Sequence, residues 1–325
     1  MRVPLPAAMM TTSSVGAVDK LSVAMGKFLE SNLKLIKIIR TSLMAALLLG
    51  LLSACSTIKL AYNNANELAW WWLTDYVSFS ETQRPAMRQA MVQVHAWHRR
   101  QQLPGYVDLL GRWQGAVLGD LGAAQVCDLA DEVVLRLEDL SSAVEALDTA
   151  ALQAVASLSA AQLVELERRQ AKSNSEFREK FLSVSPQELA DQRFKQAVSR
   201  AENLYGRLQP EQKKALANAL SASPWDASAS YGRRLKRQQA MVQSLRALQK
   251  APVEQVRAGL KAMLARSMVD ADPADRAASL AARKQMCSVV AELHQSTTRE
   301  QRAKALDTLK GYAVDLRSLA QSAPI

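Results

Sequence analysis

Leu158-Ser159-Ala160-Ala161-Gln162 contains, within five residues, the signals that start an amphipathic helix. The Ser159 hydroxyl can accept a hydrogen bond from the backbone N–H three residues further on, and the Gln162 side chain can reach back to the Ser159 N–H. Leu158, just before the cap, can pack on the first helical turn as a hydrophobic staple. This stretch therefore predicts a helix that begins directly after Ser159.

Three further stretches carry variants of this start signal. Phe79-Ser80-Glu81-Thr82-Gln83 keeps the serine cap and the glutamine, whereas Val184-Ser185-Pro186-Gln187-Glu188 has glutamate in place of the glutamine. Leu208-Gln209-Pro210-Glu211-Gln212 has glutamine as a weaker cap and proline at the first helical position, where proline is favoured. We expect a helix to begin at each stretch. Their uneven spacing argues against a solenoid of repeats.

The rest of the chain follows a helical pattern. Ala, Leu, Gln, Glu, Arg and Lys dominate, and apolar residues recur three or four positions apart rather than in alternation. The sequence therefore predicts an all-α, multi-helix bundle with helices of about 12 to 28 residues. We expect one helical domain over residues 55–325, with a long loop and a candidate subdomain boundary near 221–230 (SASPWDASAS). Breaks between helices are expected at Pro104-Gly105, Pro186, Gly206, Pro210, Pro224, Pro252 and Pro273.

Residues 1–54 have the layout of a cleaved signal peptide. The run Thr41–Leu52 carries no charge, follows three basic residues in segment 34–40, and precedes two small residues. Twelve helical residues span about 18 Å, which is short of the roughly 30 Å hydrocarbon core of a bilayer. A permanent membrane helix is therefore not expected here. Met25 would begin a signal peptide of more ordinary length, so we expect translation to start there rather than at Met1.

Leu52-Ser53-Ala54-Cys55 resembles the bacterial lipobox, an aliphatic residue and two small residues before a cysteine. The resemblance implies cleavage between Ala54 and Cys55, a diacylglycerol on the Cys55 sulfur and an acyl chain on the new amino terminus. By the same resemblance, a residue other than Asp at Ser56 implies sorting to the outer membrane, facing the periplasm. Two or three acyl chains, at about 0.8 kcal/mol per buried methylene, suffice for stable anchoring. No cofactor is expected besides these covalent lipids.

The charge of the mature chain is modest. Removal of residues 1–54 leaves 35 Lys and Arg and 29 Asp and Glu, so the net charge falls from +10 to +6. The remaining charges are scattered over helix faces rather than interleaved with aromatic residues in one stripe. We therefore exclude nucleic acid as a partner. Attraction to anionic lipid would add a contribution that salt screens.

Cysteine usage fits an oxidising compartment. Apart from Cys55 the chain has only Cys127 and Cys287, so the periplasm permits one intramolecular disulfide. We predict this disulfide, which would join an early helix to a late one. In the chain-entropy model a loop of about 160 residues gives an upper figure of about 5 kcal/mol of stability. The alternative is that both thiols are free and buried.

Trp70, Trp71 and Trp72 are adjacent in a segment that predicts a helix. Successive helical side chains point about 100° apart, so the three rings cannot all enter one core. At least one ring should therefore lie at a surface, at the lipid headgroup boundary or against a partner, since Cys55 is only about fifteen residues away. The alternative is that flanking helices bury most of the three rings. The predicted interaction residues are Tyr62, Trp70, Trp71, Trp72 and Trp97.

Several motifs together resemble an uncharacterised family of helical Gram-negative outer-membrane lipoproteins. They are Tyr62-Asn63-Asn64, Trp71-Trp72-Leu73, Trp97-His98-Arg99-Arg100 and Leu103-Pro104-Gly105-Tyr106, and the segment Leu158–Phe181 is similar too. The resemblance implies a lipoprotein with a helical fold and brings no activity. The Leu-Ser-x-x-Gln and Leu-Gln-Pro-Glu-Gln stretches also look like the Leu-Thr-x-x-Gln signature of small periplasmic chaperones.

The sequence carries no recognisable catalytic or metal-binding signature. The chain has no nucleophile elbow, phosphate-binding glycine loop, His-Glu-x-x-His or Cys-x-x-Cys. His95 and His98 could share a metal, but no third ligand accompanies them and Arg99 and Arg100 oppose a cation. We therefore expect no catalytic residues, no metal and no small-molecule substrate. The expected role is a structural or protein-interaction lipoprotein that binds an unknown envelope protein. The alternatives are a helical periplasmic holdase and, after it, an envelope hydrolase.

Overall fold

The computed structural model describes residues 57–268 and 272–322. Within these two ranges every regular element is a helix and no strand occurs, so the predicted all-α multi-helix fold is confirmed. The described residues from 58 onward belong to one compact unit. The signal peptide, the cleavage point at Ala54 and the lipidated Cys55 remain predictions, because they lie outside the described residues.

The helices differ widely in length, and two short helices of other types join longer ones. A π-helix spans His98–Gln102, and a 3₁₀-helix spans Leu140–Ala146. In chain order the α-helices are α1 (Thr57–Asn63), α2 (Ala65–Tyr76), α3 (Arg84–Trp97), α4 (Leu103–Ala116), α5 (Ala123–Asp139), α6 (Thr149–Ala156), α7 (Ala160–Phe181), α8 (Pro186–Tyr205), α9 (Pro210–Ser221), α10 (Ala227–Ala247), α11 (Val253–Met268), α12 (Pro273–Gln295) and α13 (Arg299–Gln321).

The predicted start signals cap their helices, with one shift of position. α7 and α8 begin directly after Ser159 and Ser185, and both have reciprocal capping boxes. α3 instead begins at Arg84, although Ser80 and Gln83 make the expected reciprocal hydrogen bonds of 3.0 and 3.3 Å. The N–H groups of Gln83 and Arg84 both bond to the Ser80 carbonyl, so a tight turn precedes the regular helix. The predicted start directly after Ser80 was therefore wrong by one turn.

The capping glutamines also join pairs of helices. The Gln162 Nε2 donates to the Gln83 Oε1 at 2.7 Å and to the Ser78 carbonyl at 2.8 Å. In return the Gln83 Nε2 donates to the Ser157 carbonyl at 3.2 Å. Each glutamine thus bonds to the chain two residues before the other's cap. This reciprocal contact fixes the start of α3 against the start of α7.

The same junction occurs a second time, between α9 and α13. The Gln212 Nε2 donates at 2.8 Å to both the Gln301 Oε1 and the Ser296 carbonyl, and the Gln301 Nε2 donates to the Arg207 carbonyl at 3.0 Å. Thr298 and Gln301 form a capping box that sequence reasoning missed. Both glutamines are buried. The structure therefore contains two junctions of the same design.

Buried apolar clusters line the helix contacts. α4 packs along α13, α5 along α12, and α7 along α10. Val77, Phe79, Leu163 and Val242 bring α7 and α10 together with the chain between α2 and α3. Further clusters are centred on Leu152, Val256 and Leu260; on Val117, Tyr205 and Leu309; and on Leu208, Leu216, Leu220 and Val289.

Two predicted interruptions differ from the structure. Residues 222–226 alone separate α9 from α10, because Asp226 caps α10 by accepting from the Ala229 N–H, so the long loop expected at 221–230 is wrong. The subdomain boundary there stays a prediction. At Pro104-Gly105 the chain remains helical, because Pro104 lies in the first turn of α4, where its missing N–H is tolerated.

The predicted disulfide is confirmed. Cys127 on α5 and Cys287 on α12 are bonded, with their Cα atoms 5.4 Å apart. The bond joins positions 160 residues apart in sequence and reinforces the packing of these two helices. Cys287 is buried, so the bond is part of the core.

No single helix in the two described ranges is both long and apolar enough to cross a membrane. α6 and α7 meet that test only when taken together, and they are bent by 83° relative to one another.

Candidate functional site

Most of the motifs in the first third of the chain meet at the π-helix between α3 and α4. A π-helix adds one residue per turn and so changes the direction in which the following side chains point. His98, at its start, has its Nδ1 2.8 Å from the Tyr62 hydroxyl on α1. The Tyr62 ring also lies 4.9 Å from the His95 ring. The Tyr106 ring lies 5.7 Å from the His98 ring, so three motif segments, those that contain Tyr62, His98 and Tyr106, meet in one cluster.

Arg99 joins this cluster to both ends of the described chain. Its side chain is buried, with its guanidinium carbon 5.4 Å above the centre of the Tyr62 ring. It donates from Nη2 to the Asn63 Oδ1 at 2.9 Å and from Nη1 to the Ser322 carbonyl at 3.4 Å. The π-helix therefore connects α1 to the residue that follows α13.

The histidines of this cluster favour their neutral forms. Burial lowers the pKa of His95, and the positive charge of Arg99 lowers it further. Burial likewise lowers the pKa of His98, with a smaller contribution from His95. Burial raises the pKa of Tyr62 to about 12, so its hydroxyl stays protonated. These properties fit a neutral, hydrogen-bonded joint. Within residues 57–268 and 272–322, no three His, Cys, Asp or Glu side chains are arranged to hold a metal ion.

The three adjacent tryptophans point in different directions, as the helical geometry predicts. Trp70 stacks on Phe79 with ring centres 5.8 Å apart, and the Arg88 guanidinium lies 4.9 Å from the Trp70 ring centre. Trp71 and Trp72 lie on the surface with 73% and 57% of their areas exposed. The prediction that at least one ring is at a surface is confirmed.

The other two predicted interaction residues belong to the internal cluster. Tyr62 bonds to His98, and the Trp97 ring lies edge-on 6.3 Å from the His98 ring. Both are partly buried. Among the five predicted interaction residues, Trp71 and Trp72 therefore offer the large exposed apolar surfaces.

A groove that sequence reasoning missed lies between α8 and α12. α9 packs against both helices and forms the floor, leaving a volume of about 400 Å³ above it. Volumes of this size are typical of ligand and peptide sites. Its lining is mainly aliphatic, with Leu216 and Leu220 on the floor and, on the walls, Ala197, Ala201, Leu204, Met286, Val289, Val290 and Leu293.

Two arginines on α8 give this groove its charge. Arg193 and Arg200 are two helical turns apart, so they share one face of α8. The Arg193 guanidinium lies 4.9 Å from the Trp225 ring centre, and burial lowers its pKa. No acidic side chain among the described residues lines the groove. The groove therefore combines an apolar floor with uncompensated positive charge.

A smaller cleft between α10 and α11 differs from the groove because acidic residues compensate its positive charge. It has a volume of about 210 Å³ and is also lined by basic residues. Lys236 at this cleft forms ion pairs with Asp272 at 3.2 Å and with Asp275 at 2.7 Å. Its charge is thus partly neutralised from within the chain. The groove between α8 and α12 is the better candidate for a charged partner.

Comparison with protein families shows what the chain is similar to. The model of DUF6279, a family of unknown function, matches residues 75–266, more than half of the chain. The chain belongs to DUF6279. Neither the curated proteins nor the solved structures gave a match. The resemblance to an uncharacterised family is confirmed at that level, whereas the lipoprotein and chaperone likenesses stay predictions.

The DUF6279 match covers only part of the groove. It covers α8 and α9, which supply Arg193, Arg200 and the groove floor. The match ends before α12, the second wall of the groove, and starts after Trp72. A sequence signal for the groove exists on α8, where Ala197 and Ala201 share one helical face with Arg193 and Arg200. Small residues on a helix face leave a groove only where a second helix lies opposite them. The sequence did not reveal that α12 lies opposite this face of α8.

Proposed function

We propose that this protein is a lipid-anchored, periplasm-facing module that binds a segment of another cell-envelope protein. The observation that carries the proposal is the groove between α8 and α12. Its aliphatic floor can bury apolar side chains, while Arg193 and Arg200 can pair with carboxylates. The expected occupant is an amphipathic helix with acidic residues about two turns apart, because that spacing matches the two arginines.

Two features support the location in the envelope. Leu52-Ser53-Ala54-Cys55 offers a lipidation signal, and no other cysteine lies near it. The remaining cysteines, Cys127 and Cys287, are paired, as is usual for proteins of oxidising compartments. An anchor on Cys55 would keep the bundle at the periplasmic face of the outer membrane.

Site-specific crosslinking tests the binding role. A photoreactive residue at Val290, which is 39% exposed in the groove wall, should give one predominant adduct in intact cells. The Arg200→Glu substitution should remove that adduct, since it reverses a charge that the partner needs. The matched control is the same probe at Leu135 on α5, which is 64% exposed and outside the groove. An adduct at Val290 that persists with Arg200→Glu would contradict the proposed charge pairing.

Lipid labelling tests the anchor separately. The Cys55→Ser variant should lose incorporation of labelled palmitate, keep its signal peptide and leave the outer-membrane fraction. The wild-type protein, labelled in parallel, serves as the reference. A variant that is still processed to the mature size and still sediments with membranes would rule out lipidation at this cysteine.

A second candidate function, a periplasmic holdase, is favoured by the openness of the same groove. Met286 in its wall is 43% exposed, and methionine side chains adapt to partners of different shape. A holdase should delay aggregation of an unfolded client at stoichiometric amounts and give many adducts from Val290. A single adduct together with no effect on aggregation would favour the dedicated module.

A further inference from the structure

We propose that α1 and α2 carry a membrane-contact face, made of Leu60, Leu68, Trp71 and Trp72, that lies in the lipid headgroup region. The inference rests on the lipid anchor proposed above and adds a second, non-covalent contact to it. It concerns a surface distinct from the groove between α8 and α12.

The face combines one side of α2 with Leu60 on α1, eight residues before Leu68. Leu68, Trp71 and Trp72 are spaced three and four residues apart on α2, so their side chains share one side of the helix. Their exposed fractions are 56%, 73% and 57%, and Leu60 on α1 is 57% exposed. The other side of α2 is used by the core, where Trp70 and Leu73 pack against the cluster that contains Phe79. α2 therefore carries apolar side chains on two sides, one packed against the core and one exposed.

The exposed rings suit a bilayer interface. Tryptophan combines a large apolar ring with one N–H donor, and it concentrates at membrane–water boundaries for that reason. The Trp72 ring lies 4.7 Å from the Tyr76 ring, which is also partly exposed. This contact extends the aromatic surface by one turn of α2. Neighbouring exposed apolar groups of this kind mark an interaction surface.

The acidic residues beside the face are compensated by arginines. Glu67 forms an ion pair of 3.2 Å with Arg88, and Asp75 pairs with Arg169. Pairing reduces the repulsion that these carboxylates would otherwise exert on anionic lipid headgroups. The local charge therefore permits close approach to a bilayer.

The position in the chain identifies the occupant as lipid rather than a second protein. The described chain begins at Thr57, two residues after Cys55, and two extended residues span at most about 7 Å. Acyl chains attached to Cys55 would hold α1 within that distance of the headgroups. Leu60 lies about one helical turn after Thr57, so the first residue of the face is close to the proposed anchor.

Fluorescence quenching in reconstituted vesicles tests the proposal. The mature lipidated protein is placed in phosphatidylethanolamine and phosphatidylglycerol vesicles that contain lipids brominated near the headgroup. Bromine should quench part of the emission of the six tryptophans. In the Trp71→Ser/Trp72→Ser variant the remaining emission should no longer respond to bromine. The matched control, Leu118→Ser/Leu135→Ser, removes two side chains that are 55% and 64% exposed elsewhere and should leave the quenching unchanged.

Other outcomes overturn the inference without touching the anchor. If the wild-type protein floats with the vesicles but bromine quenches nothing that the double variant loses, the face does not contact lipid. If the same double substitution instead turns a dimer into a monomer in sedimentation, a second copy of the chain covers the face. A protein that does not float with vesicles at all, and incorporates no palmitate, would contradict the proposed anchor itself.

Discussion

His294 is a buried, neutral side chain that joins three parts of the fold. Its side chain is 0% exposed, its Nδ1 lies 2.9 Å from the Tyr205 hydroxyl, and its Nε2 lies 2.8 Å from the Gly119 carbonyl. Burial raises the pKa of Tyr205 to about 12, so the hydroxyl donates to Nδ1 and Nε2 carries the proton. Burial also lowers the pKa of His294. The neutral imidazole is thus the form that the core accepts.

We predict that the protein loses stability as the pH falls below about 6.5. Folding lowers the pKa of all three histidines of the chain, mainly through burial. The unfolded chain, with an ordinary histidine pKa of about 6.5, therefore binds protons more readily than the folded chain. The stabilisation is complete above that pH and is lost as the pH falls towards the lowered folded values. Thermal melting between pH 8 and pH 5 measures the effect.

A histidine variant provides the control for this pH dependence. His98→Gln keeps a polar side chain near Tyr62 but cannot gain a charge, so its melting temperature should vary less over the same range. The carboxylates with lowered pKa, such as Glu188 and Glu202, affect stability at lower pH, below about 4.5. Equal slopes for the variant and the wild type between pH 7 and pH 5 would show that His98 does not contribute to the pH dependence.

The second glutamine junction gives a prediction of its own. Gln301→Ala removes the bonds to the Arg207 carbonyl and to Gln212, and it leaves buried polar groups without partners. We expect the free energy of unfolding to fall by about 1–3 kcal/mol, as measured by urea denaturation. Gln153→Ala, on an exposed face of α6, is the matched control and should change little. A similar loss in both variants would show that the junction contributes no specific stability.

The capping residues show which contacts of the fold the sequence could predict. The reciprocal bonds of Ser159 and Gln162 depend on residues three positions apart, so the local sequence was sufficient. The contact between Gln83 and Gln162 depends on which helices meet, and no local pattern contains that information. Thr298 was missed because Thr297, which precedes it, is not an apolar staple. The same distinction explains why the exposed tryptophans were predicted and the groove was not.

Among the helices, α5 and α12 depend on one another through the disulfide. Reduction, or the Cys127→Ser/Cys287→Ser variant, should lower the free energy of unfolding, by at most about 5 kcal/mol in the chain-entropy model. Because α12 forms one groove wall, the adduct from Val290 should weaken as well. Thermal melting of the double variant, compared with the wild type in reductant, measures the first effect. A wild type that is unaffected by reductant while the double variant is destabilised would indicate that the substitutions act through packing instead.

The π-helix shows how one element can escape sequence reasoning. Pro104-Gly105 suggested a break, yet the backbone stays helical from α3 through α4. The π-helix ends with the Leu103 N–H bonded to the His98 carbonyl, a wider spacing than in an α-helix. Pro104, which has no N–H, follows directly after it. The sequence motifs contain Tyr62, His98 and Arg99, but they predicted neither that these residues meet nor the π-helix that turns His98 and Arg99 towards α1.

We expect cooperative folding of the bundle to require helices beyond residues 75–266, the part matched by the family. Residues 75–266 lack α12 and α13, which supply Cys287, His294, Gln301 and Leu309 to the core. We therefore expect residues 75–266, expressed alone, to show helical circular dichroism without a cooperative melting transition. Residues 57–325, prepared in the same way, should melt cooperatively. A sharp transition in the shorter fragment would mean that the last two helices are dispensable for folding.

The bond between Cys127 and Cys287 also determines what happens to a damaged molecule. It closes a covalent ring that contains α6 to α11, including two of the three groove helices. A protease that cuts once anywhere inside this ring leaves both fragments attached to each other. A nicked molecule would therefore run as two bands only after reduction, and an anchor on Cys55, as proposed, would hold both pieces.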